Sequence, residues 1–235
     1  MIDMFSNTYQ DDGAAKMIEM GKKSLNMETR KIASRLQQEL VKKWVDNAES
    51  PDAVFELLKL DKAGFDLFRS PLVNTFYAFL KKDMAWGIED RMLRTLIGKY
   101  GYAGLSKIFI LGEPRIDLLG RLPMKLENRM VSKWLDNDIS PDKVFELLQL
   151  NKGLDRLLTD PNLMMWQSYR VMFNSKRGVD ATTTMHTITK FYKSQDVSAM
   201  LEKAKNVPAT AKIATRWQHE LKVQKLRGAK IKKEG

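Results

Sequence analysis

The feature that most constrains this chain is that it repeats itself. Lys43-Trp44-Val45-Asp46-Asn47 returns as Lys133-Trp134-Leu135-Asp136-Asn137, an offset of 90 residues. The same offset carries Ser50-Pro51-Asp52 onto Ser140-Pro141-Asp142, Val54-Phe55-Glu56-Leu57-Leu58 onto Val144-Phe145-Glu146-Leu147-Leu148, and Pro71 onto Pro161. A gap-free match through Trp, Pro and Phe marks a duplicated structural unit. Upstream of it a looser pattern occurs three times. Tyr9, Tyr100 and Tyr192 take equivalent places, and Met17, Ile108 and Met200 follow on apolar helix faces. Ile32-Ala33-Ser34-Arg35-Leu36-Gln37-Gln38-Glu39-Leu40 is echoed by Ile213-Ala214-Thr215-Arg216-Trp217-Gln218-His219-Glu220-Leu221, with Leu126 at the Leu36 position of a diverged middle copy. The third copy has Lys225 where Trp44 and Trp134 stand, and reads as a partial, capping unit.

Local chemistry makes the units helical. Ser50-Pro51, Ser70-Pro71, Ser140-Pro141 and Asp160-Pro161 each put a capping oxygen before a proline suited to a first helical turn. Val54, Leu57 and Leu58 then form an apolar stripe that Leu60 extends towards Ala63-Gly64, a plausible stop. Ile32, Leu36, Leu40 and Trp44 recur every four residues and are expected on one buried face. No run alternates in the manner of a half-buried strand, so the fold class is all-α: a tandem repeat of helical bundles. A unit that cannot cover its own apolar face must be covered by the next, so stacking into an elongated rod or superhelix is expected.

These blocks resemble the LWY modules of oomycete RXLR-type effectors, as found in Phytophthora. An L element precedes a tryptophan helix, then the Ser-Pro-Asp to Val-Phe-x-Leu-Leu run, then a tyrosine helix that in the second copy reads Pro161-Asn162-Leu163-Met164-Met165-Trp166-Gln167-Ser168-Tyr169. In the first copy Phe76 and Phe79 replace Trp166 and Tyr169, keeping the rings and losing a hydroxyl. The resemblance covers nearly the whole chain. It implies a first LWY-like unit over 1–83, a second over 84–174, a partial third over 175–226 and a basic flexible tail over 227–235. It also implies that Trp44 packs on Phe79 and Trp134 on Tyr169, within a structural core that includes Phe55, Phe76, Phe145 and Trp166. The implied function is non-enzymatic: a pathogen protein, secreted and translocated into the cytoplasm or nucleus of a host plant cell, that binds a host regulatory protein and suppresses immunity. The protein phosphatase 2A scaffolding subunit is one partner the family suggests. Glu113, Arg115 and Asp117, between units, are candidate partner contacts.

The remaining sequence narrows the function classes. Cysteine is absent, which removes disulfides and thiolate metal sites and suits a reducing compartment. Only His186 and His219 are present, far apart, and the acidic residues sit beside lysines as solvated helix pairs. Gly98, Gly101 and Gly104 lack the strand and the Gly-Lys ending of a phosphate loop and read as an interhelix turn. No catalytic, metal or cofactor site is therefore expected. Arg170-Val171-Met172-Phe173 matches a phosphatase-docking motif that binds extended, but it lies inside an expected helix. The formal charge is +11, of which Leu221–Gly235 supplies +5, six cations against one Glu. That basic end supports the rival reading, a nucleic-acid-binding helical protein. No apolar run spans a bilayer and Met1–Asp12 lacks the pattern of a signal peptide, so a targeting segment is expected outside these residues. The free chain is expected to be a monomer without membrane association.

Overall fold

The computed structural model describes residues 2–83, 86–112, 120–177 and 182–234, with the side chains of 3, 5, 7 and 228–234 excepted. Among the described residues every regular element is helical. In chain order these are α1 (Ile2–Gly21), α2 (Met27–Asp46), α3 (Pro51–Leu57), α4 (Leu72–Asp83), α5 (Ile88–Leu111), α6 (Leu122–Asp136), α7 (Pro141–Leu147), α8 (Asn162–Arg177), α9 (Thr184–Phe191), α10 (Ser194–Lys205) and α11 (Pro208–Glu234). Short 3-10 segments at Leu60–Lys62, Gly64–Arg69 and Leu154–Thr159 lead into α4 and α8.

The boundaries are set by the repeated residues. Ser50 Oγ accepts from Ala53 N at 3.1 Å and Ser140 Oγ from Lys143 N at 3.2 Å, opening α3 and α7 with proline in the first turn. Ser70 Oγ and Asp160 Oδ1 take the amides of Leu72 and Asn162 in the same way. Stops repeat as faithfully as starts. Ala48 (φ 53) and Asp138 (φ 50) end α2 and α6, and Lys59 (φ 54) and Gln149 (φ 57) follow α3 and α7, all left-handed without being glycine. After the first pair the chain closes with Glu49 N to Trp44 O and Ile139 N to Trp134 O, each 2.9 Å, which satisfies helix-end carbonyls.

Each L element is a helix pair broken next to its tyrosine. The break falls at Gln10 (φ 58, ψ 167) in α1 and at Gly101 (φ 65, ψ 169) in α5, one residue after Tyr9 and Tyr100. In the third copy extended backbone at Tyr192 and Lys193 separates α9 from α10. Of the three glycines expected to make a turn, only Gly101 does so; Gly98 and Gly104 lie within helix.

The chain divides into two compact units, Met1–Met130 and Val131–Gly235. In the first, α1 packs on α2 and α4, α2 on α4, and α5 on α3, α4 and Gly64–Arg69. In the second, α7 packs on α8 and α9, and α11 on α9 and α10. Compaction thus follows a different boundary from the sequence repeat. The L element that opens the second copy, α5, buries Ile88, Met92, Leu93 and Leu96 within the first unit.

Three apolar positions depart from expectation. Ile32 is 49% exposed, and Ala33 takes its place beside Leu36, Leu40, Val41 and Trp44 on the buried face of α2. At 100° per residue a spacing of four advances the stripe by about 40° each time, so Ile32 has drifted out of it. Leu57 and Met17 also face solvent, and the buried positions there are Val54 and Phe55 of α3, Leu58 just after it, and Ile18 of α1. The backbone of α11 stays helical through Glu234, beyond residue 226 where a flexible tail was expected. Only Gly228 in that stretch opposes a helix.

Candidate partner-binding surfaces

Two aromatic cores hold the helices whose outer faces are available for binding. In the first unit Trp44 meets Phe79 edge-on at 6.1 Å and Phe55 meets Phe76 at 5.1 Å; all four rings are at most 1% exposed. In the second, Trp134 meets Tyr169 at 5.6 Å and Phe145 meets Trp166 at 5.1 Å, again edge-on and buried. The polar handles differ between copies. Trp44 Nε1 donates to Asp11 Oδ2 at 2.8 Å, whereas Trp166 Nε1 donates to Pro141 O at 2.8 Å and the Tyr169 hydroxyl donates to Ile139 O. Burial, reinforced by the nearby Asp138 carboxylate, pushes the Tyr169 phenol up to about 12.

Joints between an L element and the bundle before it recur at equivalent atoms. Tyr100 donates its hydroxyl to Leu60 O, and Tyr192 to Leu150 O at 2.7 Å while accepting from Gly153 N at 3.0 Å. The lysine bridges are not equivalent: Lys99 reaches Glu56, whereas Lys190 reaches Asp142, the counterpart of Asp52, which also accepts from Thr187. Burial alone would raise the Asp142 carboxyl. The hydrogen bonds from Lys190 and Thr187 outweigh it and hold the group below the ordinary carboxylate range. Tyr9, the first-copy equivalent, is 51% exposed.

A buried carboxylate fixes α1, α2 and α4 together. Glu19 Oε1 accepts from Gln37 Nε2 (2.7 Å), Thr75 Oγ1 (2.8 Å) and Lys22 Nζ (3.1 Å), and Lys22 also reaches Gln37 Oε1 (3.0 Å). A charge this enclosed is tolerable because each donor around it is used. The ring recurs in the third copy. Lys205 bridges Gln218 Oε1 (3.0 Å) and Glu202 Oε2 (2.9 Å), and Gln218 donates back to Glu202. Sequence reasoning missed this cluster, although the parallel Glu19/Lys22/Gln37 and Glu202/Lys205/Gln218 was there to be found.

With the inner faces used, α4 and α8 present their outer faces to solvent. On α8, Met164, Val171 and Met172 are 62%, 55% and 40% exposed, with Ser168 between them, an apolar stripe at helical spacing. At the same register α4 carries Asn74, Ala78, Lys81 and Lys82. The Arg170–Phe173 motif lies in the helical body of α8. His186 and His219 are exposed, and among the described residues no group of three His, Cys, Asp or Glu is placed to hold a metal ion. No described helix is long and apolar enough to cross a membrane. Glu113, Arg115 and Asp117 lie outside the described residues.

Comparison with known proteins places this architecture. A family model described as "Effector PexRD54, WY-domain" matches residues 129–170. An RxLR effector protein of Phytophthora infestans (strain T30-4) is 54% identical over 235 residues, which is 100% of this chain and 63% of the relative. RxLR effector protein PSR2 of Phytophthora sojae is 34% identical over 223 residues, covering 94% of this chain and 33% of its own length. The crystal structure of PcRxLR12 superposes with a TM-score of 0.66 at 30% identity, over 97% of this chain and 55% of that one. The chain therefore spans between a third and two thirds of the length of these relatives.

Proposed function

From the premise that this chain belongs to the WY-domain RxLR effector family, we propose that it is a non-enzymatic effector acting inside a host plant cell. There it would bind a host regulatory protein and dampen immunity. The observation that carries the reading is the contrast between two duplicated helices. Inward, α4 and α8 keep the same aromatic packing; outward, one presents lysines and the other an exposed Met-Val-Met stripe. A scaffold preserved inside and diverged outside suits recognition of protein surfaces. Exposed methionines are favourable anchors there because they adapt to a partner's shape. A helical-repeat partner such as the protein phosphatase 2A scaffolding subunit is the specific candidate, and Glu113, Arg115 and Asp117 are proposed as additional contacts.

Affinity capture from plant tissue with the chain and its Met164→Glu/Val171→Glu variant tests this. The expected result is a partner, the phosphatase scaffold among those sought, that is retained by the chain and lost by a variant with unchanged helical content. Equal capture by both forms would remove α8 from the reading. A second reading, nucleic-acid binding, draws on the charge of +11. It requires affinity for RNA or DNA that falls steeply with salt.

A further inference from the structure

We propose that the groove between α2 and α4 in the first unit receives an acidic amphipathic helix of a partner protein. The proposal rests on the reading of the chain as a protein-binding scaffold and assigns one binding face and its ligand chemistry. The groove encloses about 620 Å³, floored by Val41 and Ala78 and rimmed by Gln38, Lys42, Lys81 and Lys82. At Gln38 it adjoins a second depression of about 550 Å³, which Lys22, Arg30, Lys31 and Arg35 line. No carboxylate lines either one. Lys42 is paired on its own helix with Asp46, and in the second depression Arg35 is paired with Glu39, Lys31 with Glu28 and Lys22 with Glu19; Lys81 and Lys82 have no ion-pair partner among the described residues.

Comparison with the second copy shows that this rim is not needed to build the bundle. At the offset of 90 residues the floor is kept as Val131 and Ser168, while Lys42, Lys81 and Lys82 become Ser132, Val171 and Met172. Complementing the helix dipole explains lysines in the last turn of α4, since α8 runs on and carries its own cations at Lys176 and Arg177. It does not explain Lys42, inside α2 and lining the same groove.

The shape selects the ligand. Two packed helices with small floor residues leave a channel into which a third helix seats its apolar ridge. The lysine stems then cover that ridge while their ammonium groups reach acidic side chains on its flanks. No aromatic lines the groove, so a single-stranded nucleic acid would find no ring on which to stack a base.

The test uses the full chain and a fluorescein-labelled synthetic peptide of roughly 16 residues, about 24 Å as a helix, with leucines on one face and glutamates on the other. Anisotropy is read at about 0.15 M salt, where exposed charges beyond about 8 Å are screened. The expected result is saturable binding that weakens at least about tenfold in Lys42→Ser/Lys81→Val/Lys82→Met, a difference near 1.4 kcal/mol. That variant imports the second copy's residues, and circular dichroism checks its fold. Binding should survive Lys193→Ser/Lys203→Ser/Lys212→Ser, which removes equal charge from exposed sites in the second unit. Equal loss in both variants, equal binding of a proline-interrupted peptide, or tighter groove-dependent binding of a single-stranded RNA would each overturn the proposal. Host-protein capture by a groove variant, with no peptide binding by the parent chain, would sink the groove and leave the adaptor function standing. Peptide binding without any host partner would do the reverse.

Discussion

At the scale of single residues, the four buried aromatic positions of each bundle core recur at the 90-residue offset, and their removal should be felt directly. Trp134→Ala is expected to cost about 3–5 kcal/mol through the cavity left against Tyr169, read as a shift in the denaturation midpoint. An unchanged midpoint would show that the indole contributes no packing. The left-handed residues point the other way. Ala48 holds φ 53 with a β-carbon that disfavours it, so Ala48→Gly should stabilise by about 0.5–1 kcal/mol, whereas Ala33→Gly on the buried face of α2 should destabilise. Sequence shows a repeat of Trp or Phe plainly because both its type and its spacing are unusual. It does not show that Ala48, Lys59 and Gln10 reverse the chain, because no glycine announces them. Ile32, Leu57 and Met17 look like core because each is apolar and close to the buried stripe, and only packing tells the inner face from the outer.

Between elements, the informative groups are the ionisable ones at helix contacts. Asp142 on α7 takes Thr187 and Lys190 of α9, and its carboxyl lies below the ordinary range. A depressed folded-state value means that the stabilisation is complete above the unfolded carboxylate range and disappears as pH falls through the folded one. Asp142→Asn should therefore cost about 1 kcal/mol at pH 7 and progressively less as pH falls below the ordinary carboxylate value of 3.8, measured by thermal melts across pH. Glu127 on α6 shows the opposite sign. Burial raises its carboxyl above the ordinary 4.5, so its ionisation opposes folding as pH rises past that value. The first copy has Gln37 at this register, and Glu127→Gln should raise the melting temperature at pH 7 but not at pH 4. A melting temperature that rises equally at both values would mean that charge is not the cause. The helices themselves were legible from Ser-Pro caps and apolar periodicity. The outer faces of α4 and α8 were not, because Val171 and Met172 are as apolar as any core residue until packing shows which side they occupy.

For the molecule as a whole, the duplicated text and the compact units are out of phase. Cutting where the sequence repeat ends, after Asp83, removes α5 from the surface of α3 and α4; cutting after Leu111 keeps it. A fragment of residues 1–111 should melt cooperatively, whereas residues 1–83, with the groove around Phe55 uncovered, should melt at least about 10 °C lower or bind hydrophobic dye, given a loss of a few kcal/mol in so short a chain. Equal melting would mean that α5 only decorates the bundle. The tyrosine joints carry an evolutionary corollary. Tyr100 and Tyr192 grip main-chain oxygens at Leu60 and Leu150, atoms that every amino acid supplies. The hydroxyl bonds of such a seam ask nothing of side-chain identity at Leu60 or Leu150, and only the flanking lysine bridges and ring contacts do. Unequal crossing-over could thus insert, delete or exchange whole blocks in frame, and each recombinant would close its joints while showing a new combination of exteriors.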